Sequence, residues 1–356
     1  MEIIPGLPDD IARECLIRAK HQDFPTIAST CRAWMAQIQH PEFFQTRKAV
    51  GLSQNLIVMA QARVQPGRES GSASKYLATP TYRLTVFEPE TGLWSELKPG
   101  FGLTEGLPLF CQLVRVGSDV VIMGGWDPRT WTASTAVYIY DFVQAQWRRG
   151  TDMPGVPRSF FGCVASESMV FVAGGHDDQK NALKSAMAYD VAKDEWFLMP
   201  DMARERDECK GVFHRGKVHV IGGYRTEMQG QFESSAEVFD VSTWKWDPVC
   251  EDFLEASSCP RTCVSGGNNG LLYMCRTGEV AALENDTWKV IGSLPNEMRE
   301  IAYVVTWQDK LLVIGSPSFG EPHIAYVFDT KNYTWTKTAV PEEYSTHVQS
   351  GCCLEL

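Results

Sequence analysis

The residue types best able to do chemistry in this chain of 356 residues are seven histidines, eleven cysteines and a set of regularly spaced arginines. A transition-metal cage needs histidines or tyrosines that converge. His21, His40, His176, His214, His219, His323 and His347 are instead scattered, with no i, i+2 pair among them. Zinc has little support, because no two cysteines form a C-x-x-C pair. Neither a G-x-x-x-x-G-K-[ST] phosphate loop nor a G-x-S-x-G nucleophile elbow occurs. Cys352 and Cys353 are adjacent, but neighbouring side chains of a strand point to opposite faces, which makes a disulfide between them awkward. Intrinsic catalysis has no constellation to work with, and no cofactor or metal is expected.

The arginines are different. Arg158, Arg206 and Arg299 each lie 16 residues ahead of Gly174, Gly222 and Gly315, and Arg261 holds the corresponding place in a shortened copy. A guanidinium fork at such a position suits a carboxylate on another protein. It suits equally a backbone carbonyl or a turn aspartate of its own scaffold. The choice depends on the elements that position these residues.

Apolar residues (44%) and aromatics (11%) supply an ample core. A net charge of −11 argues against a nucleic-acid or anionic-membrane surface. No run approaches the roughly 20 apolar residues of a membrane span. The opening "MEIIPGLPDD" is acidic and interrupted by proline, unlike a secretory signal. The cysteines are therefore expected to be reduced thiols in the cytoplasm or nucleus, where the sequons at Asn285 and Asn332 stay silent.

One phrase recurs along the chain: "FEPETGLW", "YDFVQAQW", "YDVAKDEW", "FDVSTWKW" and "FDTKNYTW". Each puts an aromatic seven residues ahead of a tryptophan, as in Phe87/Trp94, Tyr140/Trp147, Tyr189/Trp196, Phe239/Trp246 and Phe328/Trp335; a shortened copy, "LENDTW", ends at Trp288. The six tryptophans stand 53, 49, 50, 42 and 47 residues apart. Upstream, "VVIMGGW", "VFVAGGH", "VHVIGGY" and the weaker "LLVIGSP" place an apolar run before glycine. That reads as a buried strand followed by a turn that Gly-Gly can make at φ > 0. Asp after Tyr140, Tyr189, Phe239 and Phe328 suits a turn into an outer strand, and the tryptophan supplies contact area between neighbouring units.

A period near 50 with four short strands per copy resembles the kelch motif, which implies a mainly β fold, a six-bladed propeller. Each copy opens with a strand of small residues, Cys163, Cys209 and Cys263 among them, as expected beside a crowded axis. The first copy lacks this strand; it begins at "QNLIVMAQAR" and runs into the loop "VQPGRESGSASK". The final "VQSGCCLEL" is an opening strand with nothing after it. Val348 to Leu354 is therefore expected to pair beside Leu56 to Ala60, closing the ring and hiding both sheet edges.

In an antiparallel blade, the loop into the first strand and the loop out of the second emerge on one face. The long loops "WDPRTWTAST", "HDDQKNALKSA" and "YRTEMQGQFESSAE" should therefore share a rim with the spaced arginines. Loops carry specificity, so a protein client is expected to meet Trp126, Asp127, Arg129, Trp131, Arg158, His176, Asp177, Lys180, Arg206, Tyr224, Arg225, Arg261 and Arg299. Trp126 and Trp131 are either binding hot spots or caps of their blade.

Residues 1–46 share none of these features and read as helices. "DDIARECLIRA" repeats Ile11, Cys15 and Ala19 at i, i+4 and i+8, with Leu16 alongside. In "DFPTIASTCRAWMAQIQ", Pro25 sits at a first helical position while Ile27, Cys31, Trp34 and Ile38 mark one face. A third turn, "PEFFQTRK", leads into residues 47–356. So small a block barely buries a core alone and is expected to share its apolar surface with a partner.

"LPDDIARECLIRA…IASTCRAW" resembles an F-box. That resemblance implies that Leu7, Pro8, Ile11, Leu16, Cys31 and Trp34 dock on a Skp-type adaptor, which bridges to a cullin ubiquitin ligase. Taken whole, the chain resembles plant F-box/kelch-repeat proteins, above all the group that recruits phenylalanine ammonia-lyase for ubiquitination. The stretches "GLPLFCQ", "GGWDPRTW", "MPGVPRSFFGC" and "GGHDDQKNALKSA" carry the likeness. Members of that group also act in the turnover of type-B response regulators. The resemblance implies a non-catalytic ligase adaptor; a kelch scaffold without a ligase role is the alternative.

Overall fold

The seven-residue step from aromatic to tryptophan is a cross-strand pair. Phe87 faces Trp94, Tyr140 faces Trp147, Tyr189 faces Trp196, Phe239 faces Trp246 and Phe328 faces Trp335, each in the outer hairpin of its own sheet. Leu283 faces Trp288 in the shortened copy. The aspartate after the aromatic turns the hairpin, as Asp190 does by accepting the N–H groups of Ala192 and Lys193. Each indole then reaches back to the preceding sheet. The Nε1–H of Trp147, Trp196, Trp246, Trp288 and Trp335 donates to the carbonyls of Lys98, Thr151, Pro200, Phe253 and Ser293. Trp94 closes the circle on Ala339. Trp94 is buried and the other five are half-buried, wet at the rim and apolar inward.

The computed structural model describes residues 3–64, 79–100, 102–166, 168–254, 258–267, 270–276 and 278–356. Six four-stranded antiparallel sheets form a β-propeller, as the repeat implied. The inner strands are Gln112–Val116, Gly162–Ala165, Lys210–His214, Val264–Ser265, Glu300–Trp307 and Val348–Glu355. Residues from all six line a central channel of about 570 Å³. The last strand completes blade 1: Leu56 pairs with Leu354, Val58 with Cys352 and Ala60 with Ser350, with a register shift before Gln61 meets Val348. This is the expected closure. The loop expected after Ala62 lies, from residue 65 onward, outside the described residues.

The glycine pairs are set by close approach. A Cβ on Gly174 (φ 69°) would sit 2.4 Å from the Arg206 carbonyl of the next blade, and one on Gly175 (φ 81°) 2.4 Å from the Ser159 carbonyl of its own. A side chain at Gly174 would force the blades apart, and one at Gly175 would push away the segment that enters its own inner strand.

Four helices precede the ring: α1 (Asp9–Ile17), α2 (Phe24–Thr30), α3 (Arg32–Gln39) and α4 (Pro41–Ala49). The single helix expected across Cys31 is broken there, at φ −161°. Ser29 and Thr30 explain the break, because both hydroxyls donate to the Thr26 carbonyl and compete with the backbone. Ala12, Leu16, Ile17, Phe24, Ile38 and Phe43 join Leu56, Val58 and Phe142 of the first two blades in one core. Much of the apolar surface expected to await a partner is thus spent on the chain's own propeller.

Candidate functional site

The helices and the long loops occupy opposite faces of the ring. Gln22 bonds to Glu88, the His21 N–H to Gln54, and Lys48 pairs with Glu355. These partners lie at the end of blade 1 where its inner strand finishes. The long loops leave from the other end, where the inner strands start.

On the helical face, Asp9 and Asp10 sit in the first turn of α1, where the helix dipole favours acids. Arg47 of α4 fixes the back of this helix. Its buried guanidinium donates to the carbonyls of Ile17, Ala19 and Leu52 and lies over the rings of Phe24 and Phe43. α1 buries Ala12, Leu16 and Ile17, which leaves Ile11 (47% exposed) and Cys15 facing outward; Leu7, Pro8 and Cys31 are exposed as well. Trp34 is half-buried, its Nε1–H on the Ile3 carbonyl at 2.5 Å. Of the residues expected to meet a partner, Leu16 is corrected: it lies in the core and presents nothing to the surface.

On the loop face, burial divides the expected client residues. Arg158 donates to the Gly174 and Ser185 carbonyls and to the Ser185 hydroxyl. Arg206, wholly buried, repeats this on Gly222 and Ser235 and adds an ion pair with Glu237 at 3.0 Å. Both arginines staple the glycine turn of their own blade. His176 and Tyr224 are buried too. The Trp126 Nε1–H donates to Ser159 Oγ (2.6 Å), which bonds to His176 Nε2 (2.9 Å), whose Nδ1 meets the Asp207 carboxylate (2.8 Å). The atom order is that of a hydrolase triad. Here, however, the hydroxyl is fully enclosed and received under Trp126, so the chain ties three blades together. For Arg158, Arg206, His176 and Tyr224 the client role is corrected; each is spent on the scaffold, and half-buried Trp126 caps its blade.

The remainder faces outward. Asp127 accepts the N–H groups of Arg129 and Thr130, which with the Arg129 guanidinium hold its carboxyl below the usual range. Trp131, at φ 56°, is thereby lifted to 56% exposure. Asp177 repeats the device with Gln179 and Asn181 and presents Lys180. Arg225 is exposed and pairs with Glu233, Arg261 donates to the Ile301 carbonyl, and Arg299 is exposed. Sequence reasoning missed Phe110, Val156, Met228 and Phe319, all exposed on this face, Phe319 at 95%. Phe110 had a usable signal: it holds the place of Phe160 and Glu208, two residues past the arginine position, and all three have positive φ.

The kelch motif matches residues 109–154, 157–203 and 205–249, which are blades 2 to 4. Two F-box/kelch-repeat proteins of Arabidopsis thaliana are 50% and 49% identical to this chain, each alignment covering all of both proteins. A third from the same plant is 36% identical over 74% of this chain and 69% of its own length. The chain belongs to the plant F-box/kelch-repeat family. Its kelch matches are the blades that carry Gly-Gly, and blades 2 to 4 also bear the loops of Trp131, Lys180 and Arg225. Cys209, Cys263 and Cys353 of this F-box/kelch chain behave as packing groups: burial pushes Cys209 up to about 11, and Cys263 and Cys353 to about 12. Their thiols stay protonated near neutrality and are poor nucleophiles. No helix among the described residues is long and apolar enough to cross a membrane.

Proposed function

We propose that the protein is the substrate-recognition subunit of an SCF-type E3 ubiquitin ligase, with residues 1–46 as the F-box and 47–356 as the client-binding propeller. The separation of two exposed surfaces on opposite faces of one rigid ring carries this reading. Leu7, Pro8, Ile11, Cys31 and Trp34 offer a Skp-type adaptor an apolar patch of the kind that peptide grooves accept, and the adaptor bridges to the cullin. Trp131, Arg129, Lys180, Arg225, Arg261 and Arg299, with Asp127 and Asp177, offer a client an aromatic anchor among charged groups. The protein itself performs no chemistry; it holds the client for ubiquitination, in the cytoplasm or nucleus.

The client is phenylalanine ammonia-lyase, so that the ligase restrains phenylpropanoid synthesis; the group-specific stretches in blades 2 and 3 support this choice. Two pull-downs test the reading. Purified Skp-type adaptor should retain the intact chain and lose Leu7→Ala/Pro8→Ala, and equal retention of both forms defeats the ligase role. Phenylalanine ammonia-lyase should be retained by the intact chain and lost with Trp131→Ala. Retention of a type-B response regulator in its place moves the protein to cytokinin signalling as a negative regulator.

A further inference from the structure

The central channel holds positive charge that the protein does not neutralise. Arg115 of blade 2, Lys210 of blade 4 and Arg261 of blade 5 line it, and Glu208 is the sole acid among its described lining residues. That carboxylate already accepts the Tyr224 hydroxyl at 2.9 Å. Among the described residues, Arg115 and Lys210 make no ion pair or side-chain hydrogen bond, and Arg261 spends one N–H on the Ile301 carbonyl. A chain with a net charge of −11 does not leave three such cations in one cavity through basic composition.

Lys210 is also sterically unexpected. Its inner-strand surroundings are small, with Gly211 packed on the Cys163 backbone and Cys209 and Cys263 nearby, as crowding at the axis requires. Burial lowers the Lys210 pKa, and the thiols of Cys163 and Cys263 and the Arg261 charge are among its neighbours. Lys210 is half-buried, and an ammonium on a channel wall with no counter-charge beside it is unfavourable. Two adjacent cations at the loop end, with Arg115 farther along the same wall, focus a positive potential that an anion would relieve. The channel volume of about 570 Å³ falls within the roughly 300–1,000 Å³ of small-molecule sites.

We propose that the central channel binds a small carboxylate-bearing molecule, its carboxylate held by Lys210 and Arg261, with Arg115 drawing further negative charge inward. Phe160, Val264 and Val304 supply apolar wall for the rest of the ligand. Such a ligand would sit beside the loops that meet a client, and the site stands independently of the adaptor surface.

The test uses the full chain near pH 7 with citrate as probe, followed by melting temperature and calorimetry against sodium chloride of equal ionic strength. Citrate should stabilise saturably. Lys210→Gln should weaken its binding at least tenfold and Arg115→Gln at least threefold, while Lys193→Gln, on the opposite face, leaves it unchanged. Unliganded Lys210→Gln should melt at or above the parent, since it removes an unpaired cation. A lower melting point would make Lys210 structural and overturn the site. So would citrate stabilisation that survives Lys210→Gln or is matched by chloride. Binding of a glutamate-rich peptide without any citrate binding would assign the charge to the client and likewise overturn it. None of these outcomes changes adaptor retention, which is tested at Leu7 and Pro8.

Discussion

The two faces of this propeller expose apolar side chains by different means. On the helical face, Ile11 stands out from α1 and Leu7 from the bend before it, and the backs of the helices are packed against blade 1 and held by Arg47. On the loop face, Trp131 and Phe319 stand on turns, and at Trp131 the underlying polar groups are satisfied locally by Asp127. The first surface depends on the core beneath it and the second hardly does. Binding and stability should therefore be coupled near the helices and separable at the loops.

The largest break comes from removing what both faces share. Deleting Val348–Leu356 strips the inner strand from blade 1 and leaves an open sheet edge. The melting temperature should fall by more than about 10 °C, given roughly 2–4 °C per kcal/mol for a domain somewhat smaller than this one, with aggregation visible on size exclusion. A truncated chain that keeps its melting point and stays monomeric would show that closure is dispensable. Next comes Arg206→Ala, which leaves the buried Glu237 carboxylate on the Ala203 and Arg204 N–H groups without its ion-pair partner and should cost about 3–5 kcal/mol by chemical denaturation. Exposed Arg225, which pairs with Glu233, should cost under about 1 kcal/mol when changed to Ala.

The helical face sharpens the comparison within a single helix. Leu16→Ala should cost about 2–3 kcal/mol, because its side chain fills the shared core. Ile11→Asp should change stability by less than about 0.5 kcal/mol and yet reduce adaptor affinity at least tenfold. If both substitutions act on stability alone, the outward stripe of α1 has no partner.

Acid should loosen the ring where it closes. His347, bonded to the Tyr82 hydroxyl at 2.9 Å, and His219 in blade 4 are both lowered to about 4, chiefly by burial. The folded state keeps these rings neutral while the unfolded chain protonates them near 6.5. Stability therefore falls as pH drops from about 6.5 to about 4. Asp119, raised to about 6 by burial and by Asp141, acts oppositely and softens the decline. Melting curves across this range should be flatter for His347→Asn than for the parent.

What the chain's residues announced and what they concealed divide along physical lines. The aromatic-to-tryptophan step was legible because it is a local hairpin register, and the closing strand because an opening pattern had lost its continuation. The arginine spacing was equally visible, but spacing carries no information about depth. Only the positions of Gly174, Ser185, Gly222 and Ser235 decide that Arg158 and Arg206 turn inward. Leu16 was misplaced for a related reason: a stripe read around a helix does not say which side a neighbouring sheet will take. Phe319 escaped notice because it belongs to the degenerate "IGSPSFG" turn of blade 6, where no Gly-Gly marks the loop.

The smallest effect on stability should accompany one of the largest on binding. Trp131 adopts φ 56°, a region costing a residue with a Cβ roughly 1 kcal/mol, and its ring is more than half exposed. A residue kept for folding would not combine poor backbone fit with so little burial. Trp131→Gly should therefore be neutral or stabilise by up to about 1 kcal/mol. Loss of an aromatic anchor of about 2 kcal/mol or more should cut client retention at least tenfold. Destabilisation by Trp131→Gly would instead make the indole a cap over the Asp127 turn, and the loop face would then depend on its core as the helical face does.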